Sequence, residues 1–385
     1  MQVLMLPTWF PHTEDQVSGV FVREQARAVA ARHDVAVLFL EPHGPLGNGR
    51  IEVTREVEEG LLTVRVRAAH GPLRKVWLVL ALLAGLRRLR STGFRPDLVH
   101  AHVFRVGAVA VALARISGLP VVVSEHNSLF LRRVATRVEL LLARVAFTGA
   151  DLVAPVSVSL REAIEAYGIR ARFRVVPNPV DTHMFHPGER HAGSSRRLLF
   201  VGRLVPVKGF PRLVEALAQV AGGAPFELEV IGDGPERGAY ERLVQQLALT
   251  QRIRFRGGRP REEVALAMRE ADLCVIASDW ETLSCVALEA QASGLPLVAP
   301  AVGGIPEVVR DGGVLVAPGD AGALARGIEE ALGDQGRFDR EAIARDIRAR
   351  FSAEAIADRW DEAYAETESI ARRRPLVRLR AALTR

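Results

Sequence analysis

The sequence predicts an α/β protein made of two doubly wound, Rossmann-like parallel-sheet domains. Three observations lead there. Short apolar runs alternate with longer segments of helical spacing; the alternation breaks at a Pro-, Asn-, His- and Gly-rich stretch, residues 177–195, and then restarts; and 385 residues make about two domains on a prior of roughly 100–200 residues each. Runs at 3–6, 35–40, 98–102, 120–124 and 152–155 read as strands buried on both faces, as in a parallel sheet. Segments such as 22–32 and 131–147 between them have helical spacing. The second series of strands falls at 197–201, 228–232, 253–256, 273–276, 297–299 and 314–316. With 49% hydrophobic residues, each domain can bury its own core. Ligands of such sheets bind beyond the carboxyl ends of the strands, so the expected site lies in a cleft between the domains.

Within the second series, SDWETLSCVALEAQASGLPLVAP carries two glutamates, Glu281 and Glu289, with seven residues between them. One precedes a helix and the other lies inside it, so the pair can read hydroxyls at two depths. The helix N-terminus between them offers free N–H groups to an anion such as a phosphate. A sugar reader and a ribose reader flanking a phosphate seat suit a nucleotide sugar. Upstream, GRLVPVKGF ends an apolar run with Gly202 for a tight turn, followed by Arg203 and Lys208 before a helix near Phe210. Arg offers a planar fork to phosphate oxygens and Lys a mobile point charge. Lys208 is one of two lysines, with Lys75, among 51 basic residues. Taken singly, each feature has a bland reading: a solvated helix face, or two surface cations on a loop.

Taken together, these stretches resemble the family-four (group 1) retaining glycosyltransferases of the GT-B fold, over nearly the whole chain. The motifs in order are PTWFPHTEDQVSGVFVREQARAVA near the start, VPNPVDTHMF at 176–185, GRLVPVKG at 202–209, GDGP at 232–235, the glutamate pair, and GGIPE at 303–307. The resemblance implies domains at 1–178 for the acceptor and 179–352 for the nucleotide sugar, a helix at 353–370 crossing back, and a basic tail at 371–385. It further implies that Arg203 and Lys208 hold the diphosphate, that Glu281 faces the transferred sugar, and that Glu289 binds the ribose. Backbone at Thr282, Leu283 and Ser284 would meet sugar and phosphates, although Leu283 and Ser284 replace the family's usual aromatic residue and glycine. Base recognition would run along the backbone around Gly258 and Arg259. From the first domain, Gly19 would bring backbone close to the diphosphate, and His126 would stand beside the reacting sugar. Glu125, Asn127 and His102 are candidate acceptor contacts. No nucleophile or general base stands out, which suits a same-face mechanism in which the leaving phosphate takes the acceptor's proton. No cofactor or metal is expected, since no Asp-x-Asp motif sits near a strand end.

Other classes fit less well. A nicotinamide dehydrogenase would show G-x-G-x-x-G after the first strand, which is absent. A sugar-nucleotide epimerase shares the architecture but needs acid/base groups that cannot be assigned. A noncatalytic scaffold would not need both cations and both glutamates.

Charge is divided unevenly, with net +8 over residues 1–178, −8 over 179–370 and +6 in the tail. Nucleic acid is a poor partner for the basic half, because no motif for it appears and only 6% of residues are aromatic. An anionic membrane surface fits better. Basic residues bracket VWLVLALLAGL within 73–90, and leucines interleave with arginines in the tail, both suited to an interfacial position. The apolar run 76–86 is too short to span a bilayer, which takes roughly 20 residues. Two cysteines, Cys274 and Cys285, form no disulfide framework, and MQVLMLPTW reads as a first strand rather than a secretory leader. The expectation is a cytoplasmic enzyme, peripheral on the inner face of the membrane. Its donor would be a UDP- or GDP-sugar and its acceptor a lipid-linked saccharide or polysaccharide of the cell surface.

Overall fold

A computed structural model of the protein describes all residues except 14, 16, 42–50, 70–73, 189–194, 221–224, 334–335 and 374–385, with backbone alone for Arg74 and Lys75. Residues 374–385 of the tail expected to reach a membrane, and the side chains of the basic pair at one end of 73–90, therefore lie outside the described residues. Ala371 and Arg372, the first two residues of that tail, belong to the final helical segment, Ala353–Arg372. The chain divides into two compact units. One comprises Met1–Val156, Arg161–Pro179 and the chain from Ile356 onward; the other comprises Ser157–Leu160 and Val180–Ala355.

In chain order the first unit contains β1 (Gln2–Leu6), α1 (Val20–Ala30), β2 (Asp34–Leu40), β3 (Ile51–Glu58), β4 (Leu61–Ala68), α2 (Arg74–Arg90), β5 (Leu98–His102), α3 (Phe104–Ser117), β6 (Val121–Glu125), α4 (Arg137–Gly149) and β7 (Leu152–Pro155); the first residues of the next helix, α5 (Val158–Glu165), are assigned to the second unit and those from Arg161 to the first. The sheet order is β3-β4-β2-β1-β5-β6-β7. All pairs are parallel except β3 with β4, a hairpin that the apolar-run reading does not contain. Its two-residue loop, Glu59–Gly60, has φ of 48° and 85°, the positive pair that matches the twist of a hairpin. A second difference is at α4. Helical spacing begins at 131, but the helix starts at 137, where Thr136 and Glu139 cap it reciprocally.

Register separates the two faces of this sheet. Leu4 pairs with Ala36 and Val99, and Ala101 pairs with Val123, so Leu4, Ala36, Leu38, Val99 and Val123 share one face. Gly85 of α2 packs on Leu38, Gly107 of α3 on Val123 and on Ala146 of α4, so these three helices form one covering layer. The opposite face, with Val3, Met5, Val35 and Val37, packs against α1 and the last helix, α13 (Ala353–Arg372), whose Trp360 and Tyr364 are fully buried in that core.

The second unit has a six-stranded, wholly parallel sheet in the order β10-β9-β8-β11-β12-β13. Its elements are β8 (Arg196–Val201), α6 (Phe210–Val220), β9 (Phe226–Ile231), α7 (Arg237–Gln246), β10 (Ile253–Gly257), α8 (Arg261–Glu270), β11 (Leu273–Val275), α9 (Cys285–Ala292), β12 (Leu297–Pro300), α10 (Ile305–Val309), β13 (Gly313–Val316), α11 (Ala321–Gly333) and α12 (Arg340–Phe351). α6, α7 and α11 cover one face through Leu213, Tyr240 and Ile328. Among the described residues, no helix is long and apolar enough to cross a membrane.

Candidate functional site

In the second unit the loops leaving the carboxyl ends of β8, β9, β11 and β12 are fitted backbone to backbone. A Cβ at Gly232 would fall 1.9 Å from the Gly202 carbonyl oxygen, and one at Gly209 2.0 Å from that of Ala277. Leu204 N–H donates to the Asp233 carbonyl at 2.9 Å, and Gly202 N–H to that of Ile231 at 3.0 Å. A Cβ at Gly303, where φ is +51°, would lie 1.5 Å from the Glu281 carbonyl oxygen. The GRLVPVKG, GDGP and GGIPE motifs are thus the places where these loops touch.

This fit holds a charged cluster. Lys208, at the end of a single 3₁₀ turn, donates to Glu281 Oε1 at 2.6 Å, and Ser278 Oγ donates to the same oxygen at 2.8 Å. The stem of Lys208 passes 3.9 Å from where a Gly202 Cβ would be, so Gly202, Lys208 and Glu281 come together. Arg203 on the same loop is exposed. Arg261 reaches Glu289 at 3.4 Å and lies over the Phe185 ring, so each expected hydroxyl reader has a cation beside it. Cys285 sits near these charges, its thiol pushed up to about 12, first by burial and then by Glu289 and Glu281.

Ser284, standing where the family's glycine is usual, is the N-cap of α9: its Oγ accepts from Ala287 N–H at 3.3 Å. The Leu283 side chain is buried. Gly258 has open space around it, whereas Arg259 donates to the Arg256 carbonyl at 3.0 Å and pairs with Glu263. Glu307, closing GGIPE, accepts from Val158 N–H and Ser159 N–H at 3.0 and 3.1 Å, satisfying free donors at the start of α5. Ser278 and Arg261 were not among the sequence candidates. A serine three residues before Glu281 was the available signal for the first; Arg261 has none, because its partner is 28 positions away.

In the first unit, Gly19 has φ +82°, and a Cβ there would fall 2.4 Å from the Trp9 carbonyl carbon. The chain itself requires this glycine. His126 is nearly buried against Phe21, with ring centroids 4.8 Å apart. His102 Nδ1 lies 3.3 Å from His126 Nε2, and His102 stacks on His100, which bridges Tyr364 and Ser124 at 2.8 and 2.7 Å. His102 is wholly buried, so it supports His126 rather than meeting an acceptor.

Glu125 also requires correction as an acceptor contact. It is fully buried, and its carboxylate accepts from the backbone N–H groups of Phe104, His126 and Asn127 at 2.9, 2.9 and 2.7 Å. Between these anchors, Val103 adopts φ 75°, a strained conformation for a β-branched residue. Asn127 uses its Oδ1 to accept from Leu129 N–H at 3.0 Å.

Burial pushes His100 and His126 down to about 3 and His102 well below its ordinary 6.5. The unfolded chain protonates all three near 6.5 while the folded protein keeps them neutral, so their contribution is intact above 6.5 and is lost as pH falls towards 3. Glu125, pushed up to about 7 by burial, which outweighs the lowering by its three N–H donors, acts oppositely between 4.5 and 7. Three histidines outweigh one carboxyl. Stability should fall from pH 6.5 to 5 by up to about 1.4 kcal/mol per unit for each histidine. Melting temperature against pH checks this, and a profile flat from 7 to 5 would refute it.

The chain matches two families in series: "Glycosyltransferase Family 4" over residues 18–184 and "Glycosyl transferases group 1" over residues 183–356. It is 32% identical to a D-inositol 3-phosphate glycosyltransferase of Corynebacterium aurimucosum over 305 residues, covering 71% of this chain and 72% of that one. It is 30% identical to a glycogen synthase of Mycobacterium tuberculosis over 376 residues, 89% of each. Among solved structures it is similar to a sucrose-phosphate synthase from Thermosynechococcus elongatus, with TM-score 0.77, 25% identity and coverage of 96% and 100%. An Anabaena protein in complex with UDP and glucose shares the fold at TM-score 0.74 and 20% identity, covering 95% of this chain and 99% of that one.

Proposed function

The chain belongs to the group 1 glycosyltransferases, and on that premise we propose that it is a retaining, metal-independent hexosyltransferase acting on a UDP- or GDP-sugar. The observation that carries this reading is the Lys208–Glu281 pair at 2.6 Å, held at the carboxyl end of the second sheet beside α9. Lys208 and Arg203 neutralise the diphosphate as the anomeric carbon–oxygen bond to phosphate breaks. The acceptor hydroxyl forms the new glycosidic bond on the same face, and its proton passes to the leaving phosphate oxygen. Glu281 then orients Lys208 and the sugar, and Glu289 with Arg261 faces the ribose. The acceptor is a saccharide or a lipid-linked saccharide. Domain limits of 1–178 and 179–352, with a returning helix, complete the proposal.

A thermal-shift screen with EDTA present, using UDP, GDP, ADP, NAD and then nucleotide sugars, tests the donor assignment. A ligand binding only the folded state at a hundred times its dissociation constant adds about 2.7 kcal/mol. One nucleoside diphosphate should stabilise without metal. Stabilisation by none, or only after a divalent ion is restored, would overturn the donor reading or its metal independence. Product analysis without acceptor separates transfer from epimerisation.

A further inference from the structure

We propose that the layer formed by α2, α3 and α4 is the face by which this protein lies on an anionic membrane surface. The sequence singles out only residues 73–90 and the tail, whereas the structure joins that segment to two more helices. All three cover the same face of the first sheet, that of Leu4, Leu38, Val99 and Val123. Their outer surface is unusually apolar. Among the described residues sixteen large hydrophobic side chains are exposed, and ten of them lie on these helices or the turn leading into α4. They form stripes rather than a scatter. Val138, Leu141 and Val145 recur at helical spacing along α4, with Val138 68% and Leu141 61% exposed, and Val134 is exposed on the segment leading into it. Val76, Val79, Leu80 and Leu83 do the same along α2.

The charge of the layer chooses the occupant. The three helices contain nine basic residues and one acidic residue, Glu139. That excess of eight equals the whole net charge of residues 1–178, so the rest of that segment is neutral in sum. Glu139 is occupied by Arg105 and by the cap at Thr136. Arg132 and Arg133, exposed on the turn before α4, add to the cationic rim. An apolar stripe edged by arginines matches a bilayer interface, where methyl groups enter the acyl boundary and guanidinium groups stay among anionic headgroups. A second protein would need acids facing the rim; a neutral apolar partner would leave the charge unexplained. The inference goes beyond the transferase reading and does not depend on it.

The test uses the full chain without donor or acceptor. The protein is sedimented with vesicles of phosphatidylglycerol and phosphatidylethanolamine, or of phosphatidylcholine alone, with sedimentation velocity run in parallel. Co-sedimentation is expected with the anionic vesicles only, weakening at about 1 M salt, where screening acts within roughly 3 Å. Val138→Glu with Leu141→Glu should lower vesicle affinity about tenfold or more, as should Arg132, Arg133, Arg137 and Arg144 to Gln together. Circular dichroism and melting should be unchanged in both variants, since these side chains are exposed. The proposal fails if wild type does not bind at low salt, or if both variants bind as wild type does. It fails equally if the glutamates instead dissolve a dimer, which would assign the face to a second copy.

Discussion

Lys208→Ala should lower turnover by roughly 100-fold or more while the protein stays folded. Lys208 sits on a loop, donates to Glu281 Oε1 at 2.6 Å, and packs its stem along Gly202. Removing it takes away a cation aimed at the developing diphosphate charge. Loss of one such preorganised donor costs roughly 2.7–4 kcal/mol in a comparable oxyanion case, and about 1.4 kcal/mol is tenfold in rate. It also leaves Glu281, whose side chain is only 12% exposed, with Ser278 as its remaining donor. Lys208→Arg should restore little, because a planar fork cannot replace a point charge on this short tether. Steady-state kinetics with the stabilising nucleotide sugar decide the matter. Near-normal turnover would take Lys208 out of the catalytic set.

Gly303→Ala should be comparably damaging, by a different route. The new methyl would stand 1.5 Å from the Glu281 carbonyl oxygen, and a backbone atom cannot rotate away. The loop carrying Glu281, Thr282 and Ser284 must shift, and proximity effects make a misplacement of about 1 Å worth roughly 100-fold. Gly319→Ala is the matched control. Its φ of +77° is equally left-handed, but nothing lies within 4 Å, so it should cost only about 1–2 kcal/mol of backbone strain. Activity and melting temperature of the two variants separate contact from strain. If Gly303→Ala behaves like Gly319→Ala, the fit of the two loops is dispensable.

The central strands were legible because strands buried on both faces read as unbroken apolar runs, as in Leu297–Pro300 and in the three valines that open Val121–Glu125. β3 was not, because it lies at a sheet edge, has no fully buried residue, and carries four charged residues in eight. At the site, glutamates and cations at motif spacing could be read directly. Burial could not. SEHNS puts Glu125 at a strand end, where acceptor contact is a fair expectation; only three convergent N–H groups reveal that it faces inward. The histidine stack was hidden too, since His100, His102 and His126 meet through the register of β5 on β6.

The placement of Trp360 and Tyr364 has a consequence for how the chain is made. Both are fully buried in the core built on β1 and β2, yet they are synthesised long after every strand of that sheet. At 5–20 residues per second, roughly ten to forty seconds separate the emergence of residue 179 from that of Tyr364. Through that interval the nascent first unit carries an open apolar seat beneath His100, shaped for a helix the ribosome has not yet delivered. The turns that carry Trp360 and Tyr364 therefore close the core that β1 and β2 begin, and a chain stopped short of them would leave that seat exposed to chaperones and proteases.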